Sequence, residues 1–361
     1  MVLVAGAGVA LGTWWVRGDA EPSPAGSAPI PSRSAGDVTA SSSPPPEPLT
    51  PMVLAISVDG LNPEAIEVLG RSGAPTLHRL IDEGASTVDA RNSDELTITL
   101  PNHTGMLTGR GVTGPEGHGV TFNRDDGGTL LGVHGSYVPG VFDVAHDHGL
   151  RTAFLAEKDK FLFLIRSWDA THGADDTTGA DDGRDKTDLD LVGEHAAVMD
   201  RAVKVVRSGR YDLTFLHLKG PDEAGHASGW LGDRYLEAVR QVDRDLARFL
   251  EVVDASPRLR DRLTILITSD HGGPRGRTSH SDVRLLANHR IPFIAWGRDV
   301  EPGSDLYEIN PRRRDPGDRV PPYDGPQPIR NLDLRTTALE LLALPSSGEG
   351  VASGWPAVRL R

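Results

Sequence analysis

The chain has 361 residues, 38 of them Lys or Arg and 51 Asp or Glu, for a net charge of −13, and it contains no cysteine. That length allows one large domain or two ordinary ones, and the missing thiols exclude zinc ribbons, iron–sulfur centres, cysteine hydrolases and disulfide scaffolds. So acidic a chain offers no general nucleic-acid-binding face, and sequence-specific nucleic-acid binding is not expected; a site for a small anion would need a local source of positive charge.

Met1 to Val16 carry no charge, and residues 1–18 read as a signal peptide or membrane anchor. The apolar run is shorter than the roughly 20 residues that span a bilayer, and it lacks a basic leader and a clean small-x-small cleavage site. Residues 19–51, rich in Pro, Ser, Ala, Gly and Thr, form a linker that cannot bury enough surface to order itself. The expected location is extracytoplasmic, secreted or membrane-tethered, with one folded domain over residues 52–361.

That domain opens on Met52 to Val58, a short apolar run ending in Asp59-Gly60, which predicts a buried parallel strand with an acid at its C-terminal end. Further strands are expected at Thr152 to Ala156, Leu213 to Leu218, Leu263 to Thr268 and Pro292 to Trp296. Helices are expected at Pro63 to Leu69, Thr76 to Glu83, Val141 to His148, His195 to Val206, Asp233 to Val253 and Leu332 to Leu342. Leu236, Val239, Leu246, Leu250 and Val253 set the clearest helical period. The alternation predicts an α/β fold with a mostly parallel central sheet and helices on both faces. The acidic, Gly-rich stretch Asp169 to Asp190 reads as a surface insertion.

Ligands of such sheets collect at the C-terminal ends of the strands. Three expected strand ends deliver Asp or His: Asp59; then Lys219, Asp222 and His226; then Asp270 and His271, with His280 shortly after. A sulfur-free Asp/His set suits Zn²⁺ or Mn²⁺, and five or more ligands exceed one tetrahedral ion, so two divalent ions sharing a cleft are expected. Asp222-x3-His226 spaces two ligands about one turn apart, although Gly225 favours a loop there. Thr99 and Pro101 precede a helix-like Thr104 to Leu107, which puts Thr99 just ahead of a helix N-terminus, where N–H groups favour an anion. Thr99 as a simple N-cap remains the alternative.

Asp59-Gly60, TLPNH at Thr99 to His103, HGVTFN at His118 to Asn123, PDEAGH at Pro221 to His226 and TSDHGG at Thr268 to Gly273 resemble the ordered motifs of the alkaline phosphatase superfamily, most closely its type I phosphodiesterase and nucleotide pyrophosphatase branch. The resemblance runs from about Val53 to Leu344. It implies an alkaline phosphatase-like fold and hydrolysis of small phosphate esters, phosphodiesters or nucleotide pyrophosphates first, through a phosphothreonine on Thr99. By the same resemblance Asp59, Thr99, Asp270 and His271 hold one zinc. Asp222, His226 and His280 hold the other, with His289 in reserve for His280. Asn123, with the backbone N–H after Thr99, receives a non-bridging phosphoryl oxygen. His103 and His118 are structural. Lys219 and Arg277 are the candidates to touch a second phosphate charge, although solvation at the surface suits both. The absence of a C/S-x-P-x-R motif disfavours a sulfatase. Phosphonate hydrolysis or phospho-group transfer on the same residues, and a non-catalytic binding domain, are the alternatives.

Overall fold

The computed structural model describes residues 49–176, 178, 183–346 and 356–361. Pro48–Arg361 form one compact unit, and the other unit, Met1–Glu47, lies outside the described residues; with it lie the expected segment 1–18 and nearly all of the linker.

Among the described residues eight strands form one sheet: β1 (Met52–Val58), β2 (Ala85–Arg91), β3 (Thr152–Ala156), β4 (Leu189–Val192), β5 (Leu213–Leu218), β6 (Leu263–Thr268), β7 (Arg290–Gly297) and β8 (Ser304–Asp305). Their order is β4-β3-β5-β1-β6-β7-β2-β8. From β4 through β6 all neighbours are parallel, and β7 then runs antiparallel to both β6 and β2.

The strands read as nearly unbroken apolar runs because both faces are covered. Along β1, Met52, Leu54, Ile56 and Val58 enter one core with the helices Glu64–Gly73, Pro75–Asp82, His195–Ser208 and Asp233–Asp254. Val53 and Ala55 enter the other, with the helices Thr99–Thr108, Val141–His146, Leu162–Ser167 and Asp333–Leu341. The period of two in a strand therefore splits one short sequence between two hydrophobic layers.

Three local expectations are corrected. Gly225 does not make a loop: Gly220–Ser228 is a helix, and a Cβ on Gly225 would stand 2.5 Å from the Trp230 ring, so the glycine admits the indole. Thr99 is the first residue of its helix rather than the residue ahead of it, since Ile98 is the extended N-cap. The stretch Asp169 to Asp190 is not wholly a surface insertion. It runs into β4, and Lys186 and Asp176 are buried.

Candidate active site and metal centre

Four adjacent parallel strands, β3, β5, β1 and β6, end side by side, and the residues just beyond them build the site. β1 delivers Asp59, and Gly60 turns the chain with φ +69°, its α-carbon so close to Asp222 that a Cβ would lie 3.0 Å from the Asp222 Cα. The left-handed φ favours glycine there, and the close approach adds to the preference. The Gly60 N–H donates to Asp270 Oδ1 at 3.0 Å, and its carbonyl accepts the Trp230 indole N–H at 3.0 Å and the Tyr235 hydroxyl at 2.8 Å. One turn thus ties the ends of β1 and β6 to the Trp230 segment.

Three histidines are held in one tautomer. His271 Nδ1 bonds the Gly272 carbonyl at 2.9 Å, His226 Nδ1 the Thr278 carbonyl at 2.9 Å and His280 Nδ1 the Thr97 carbonyl at 2.5 Å. A carbonyl can only accept, so each Nδ1 carries the proton and each Nε2 presents a lone pair. Burial, reinforced by neighbouring His271, pushes the His280 imidazole down to about 2, which keeps it neutral. Trp230 backs all three, with ring centroids 5.3 Å from His226, 5.5 Å from His280 and 6.5 Å from His271.

Buried Asp59 Oδ1, Asp222 Oδ1, Asp270 Oδ2 and His271 Nε2 have no hydrogen-bond partner among the described residues, an expensive condition for polar atoms out of water. They face one another: His271 Nε2 lies 3.2 Å from Asp270 Oδ2, 3.4 Å from Asp59 Oδ1 and 3.7 Å from Asp222 Oδ1. Asp222 Oδ1 lies 3.5 Å from His280 Nε2 and 3.4 Å from His226 Nε2. Donors about 2.0–2.2 Å from a shared tetrahedral ion stand roughly 3.3–3.5 Å apart, so these spacings fit divalent cations. Asp59, Asp270 and His271 form one grouping able to hold an ion, and Asp222, His271 and His280 another that abuts it. His226, half exposed, reaches the second from its rim through Nε2. His289 does not compete: Asn92 Oδ1, the Ser93 carbonyl and the Val283 carbonyl occupy its two nitrogens. A third grouping, His146, Asp147 and Asp176, already has the Lys186 ammonium 2.9 Å from Asp147.

Buried Thr99 stands at the start of its helix, and His103, one turn on, anchors that helix by bonding the Thr99 carbonyl at 2.8 Å and Ser57 Oγ at 2.8 Å. Asn123 Oδ1 accepts the Leu100 N–H at 2.9 Å and the Lys160 ammonium at 3.0 Å. The N–H after Thr99 therefore holds Asn123 in place, and the Asn123 Nδ2 group is left to donate. His118 is buried behind this helix and accepts the Val120 N–H.

Three residues escaped the sequence reading. Lys158, beyond β3, places its ammonium 2.6 Å from both Asp59 Oδ2 and Asp222 Oδ2, and Lys160 follows it. His217, the last residue but one of β5, contributes Nε2 to Asp59 Oδ2 at 2.9 Å; its Nδ1 accepts the Glu157 N–H at 3.4 Å, so Nε2 is the donor. A histidine inside the apolar run LTFLHL was the available signal. Burial opposes the Asp59 charge, but Lys158 and then His217 outweigh it and hold the carboxyl well below its usual range. Asp270 shifts the other way, pushed up by burial and by the Asp59 charge. Lys219 pairs with Glu223 and Glu194, so its charge is already engaged, and Arg277 lies exposed at the surface.

The signature of the family described as type I phosphodiesterase / nucleotide pyrophosphatase matches residues 53–128 and 143–339. A 2,3-bisphosphoglycerate-independent phosphoglycerate mutase from Pyrobaculum arsenaticum is 29% identical over 168 residues, 46% of this chain and 34% of that protein. The human ectonucleotide pyrophosphatase/phosphodiesterase family member 7 is 38% identical over 90 residues, 25% of this chain and 19% of that protein. The chain thus spans about a third or less of the length of these curated relatives. Among solved structures, murine ectonucleotide pyrophosphatase / phosphodiesterase 5, an inactive variant in complex with AMP, superposes with a TM-score of 0.56 at 14% identity, over 82% of this chain and 96% of that one.

Proposed function

Since the chain belongs to the type I phosphodiesterase / nucleotide pyrophosphatase family, we propose that it hydrolyses small phosphate esters by transferring the phosphoryl group to Thr99 and then to water. The supporting observation is the convergence of unpartnered Asp59, Asp222, Asp270 and His271 atoms with the Nε2 atoms of His226 and His280, which stand 3.1 Å from each other. Two divalent ions held there, zinc by the donor set or manganese, would supply Lewis-acid stabilisation of the attacking and departing oxygens. Asp59, Asp270 and His271 would hold one, beside Thr99, and Asp222, His226 and His280 the other.

The chain's own residues do the rest. Thr99, at a helix start where backbone N–H groups favour negative charge, would lose its hydroxyl proton to solvent with the help of a bound divalent ion; its oxygen attacks phosphorus in line as the bond to the ester oxygen breaks, and that oxygen takes a proton from solvent. Asn123, oriented by the Leu100 N–H, turns its amide group to a non-bridging oxygen, a preorganised donor of the kind that carries much of such catalysis. Water then cleaves the phosphothreonine. The family's description makes phosphodiesters and nucleotide pyrophosphates the first substrates to try, and the murine relative's complex with AMP makes a nucleotide-like one reasonable. Residues 1–18 would carry the protein out of the cytoplasm or tether it to a membrane, which fractionation of cells making the full chain would test.

The experiment is a panel of aryl phosphodiester, aryl phosphomonoester, phosphonate monoester and aryl sulfate with added Zn²⁺ or Mn²⁺, using wild type and Thr99→Ala. Phosphate esters should be cleaved and sulfate spared, and Thr99→Ala should keep its metal while losing at least about a thousandfold in turnover, the scale of losing a nucleophile. Wild-type rates in that variant would end the assignment. The likeness to phosphoglycerate mutases favours one second reading, transfer to an acceptor other than water, and a phosphorylated acceptor carrying no solvent oxygen in its phosphoryl group, in place of inorganic phosphate, would support it.

A further inference from the structure

We propose that Lys158 and Lys160 form a fixed cationic wall of the phosphoryl site, so that it selects a dianionic phosphoryl group, as in a phosphate monoester, over the monoanion of a diester. The inference rests on phosphoryl transfer to Thr99 and reverses the order of substrates that the family suggests.

The geometry of Lys158 carries the argument. Its ammonium contacts Oδ2 of both Asp59 and Asp222, whereas the unpartnered atoms facing the histidines are Oδ1 of each. The lysine and the cations therefore use opposite oxygens of the same two carboxylates and are compatible. An ammonium has three N–H groups; two are spent on Asp59 and Asp222, and the side chain keeps 13% of its surface exposed. The third N–H is left for a ligand. Lys160 adds a second ammonium 3.0 Å from the Asn123 Oδ1 atom, beside the amide that meets the phosphoryl group, and keeps two N–H groups of its own.

Charge sets the preference. Asp59, Asp222, Asp270 and deprotonated Thr99 carry four negative charges, which two divalent ions cancel. The two ammonium groups then leave two positive charges, a match for the monoester dianion and one too many for a diester. Had Lys158 merely neutralised crowded carboxylates, its loss would alter metal binding and treat both ester classes alike.

The test compares Lys158→Met, Lys160→Met, the double variant and Lys158→Arg with wild type on one aryl monoester and the matching methyl aryl diester, after measuring metal content. A charge-assisted hydrogen bond corresponds to about tenfold to a hundredfold in binding. The ratio of monoester to diester kcat/KM should therefore fall about tenfold or more in each methionine variant, further in the double variant, and recover in part in Lys158→Arg. Calorimetry with inorganic phosphate on metal-loaded Thr99→Ala should give a Kd weakened by a similar factor when Lys160→Met is added. Equal losses on both esters, an unchanged ratio, or unaltered phosphate binding would overturn the proposal. If Thr99→Ala alone cleaved both esters normally, the fault would lie in the phosphoryl-transfer reading instead.

Discussion

Replacing Gly273 by alanine sets a Cβ 2.2 Å from Trp230 Cδ2, 2.3 Å from Cε2 and 2.4 Å from Cγ. Ordinary contact begins near 3.4 Å, so the ring must retreat by roughly 1 Å. It has little freedom to do so. Trp230 is fully buried, its indole N–H is bonded to the Gly60 carbonyl, and its faces and edges meet His226, His271 and His280. Overpacking of this kind costs about 1–3 kcal/mol, which for a domain of this size lowers Tm by about 2–6 °C. Because the displaced ring backs three expected ligands, zinc affinity should fall as well, by about tenfold to a hundredfold. Thermal unfolding in chelator reads the first effect, and competition with a fluorescent zinc indicator reads the second. A variant with unchanged Tm and zinc affinity would show that Trp230 is not the platform on which these histidines rest.

Two further outcomes follow from the same geometry. His217→Phe keeps the packing against Phe161, whose ring centroid is 4.4 Å away, but removes the N–H that holds Asp59 Oδ2; zinc affinity should fall about tenfold to a hundredfold with the circular dichroism spectrum unchanged, and undiminished affinity would refute this positioning role. Asp143 accepts the Tyr137 hydroxyl and the Gly140 N–H, yet burial pushes its carboxyl up to about 6. Folding therefore favours its protonated form. The contribution is fully present below about pH 4 and is lost as pH rises through about 6, by up to about 3 kcal/mol. The stability difference between wild type and Asp143→Asn, from urea unfolding at pH 4 and pH 7, should shift in favour of the variant at the higher pH; a pH-independent difference would contradict the assignment.

Much of the fold was legible because it depends on burial on both faces. β1, β3, β5 and β6 are apolar runs bounded by turn residues, and the expected bounds coincide with the observed ones. β2 escaped because ASTVDAR mixes buried and exposed positions, and its partner β7 supplies the pairing. β4 escaped because only four residues, Asp190 among them, make an edge strand. The site divided similarly. Asp59, Asp222, Asp270 and His271 follow strands and carry glycines or prolines beside them, a local signal. His280 was separable from His289 only by where their nitrogens point. Lys158 and Lys160 sit in EKDK, which reads as an ordinary solvated charge run, and only the pairing of β3 with β5, and of β5 with β1, brings them to the aspartates. Gly225 misled because its reason, the Trp230 ring, comes from outside the helix.

The proposed chemistry turns on Thr99 taking the phosphoryl group. The direct measurement is rapid acid quench of metal-loaded wild type during turnover of an aryl phosphate ester, followed by proteolysis and mass spectrometry of the peptide containing Thr99. A phosphoryl group should appear on Thr99 within the first turnover and be absent from the Thr99→Ala protein. Continued turnover with an unmodified Thr99, or with phosphate on another side chain, would contradict it.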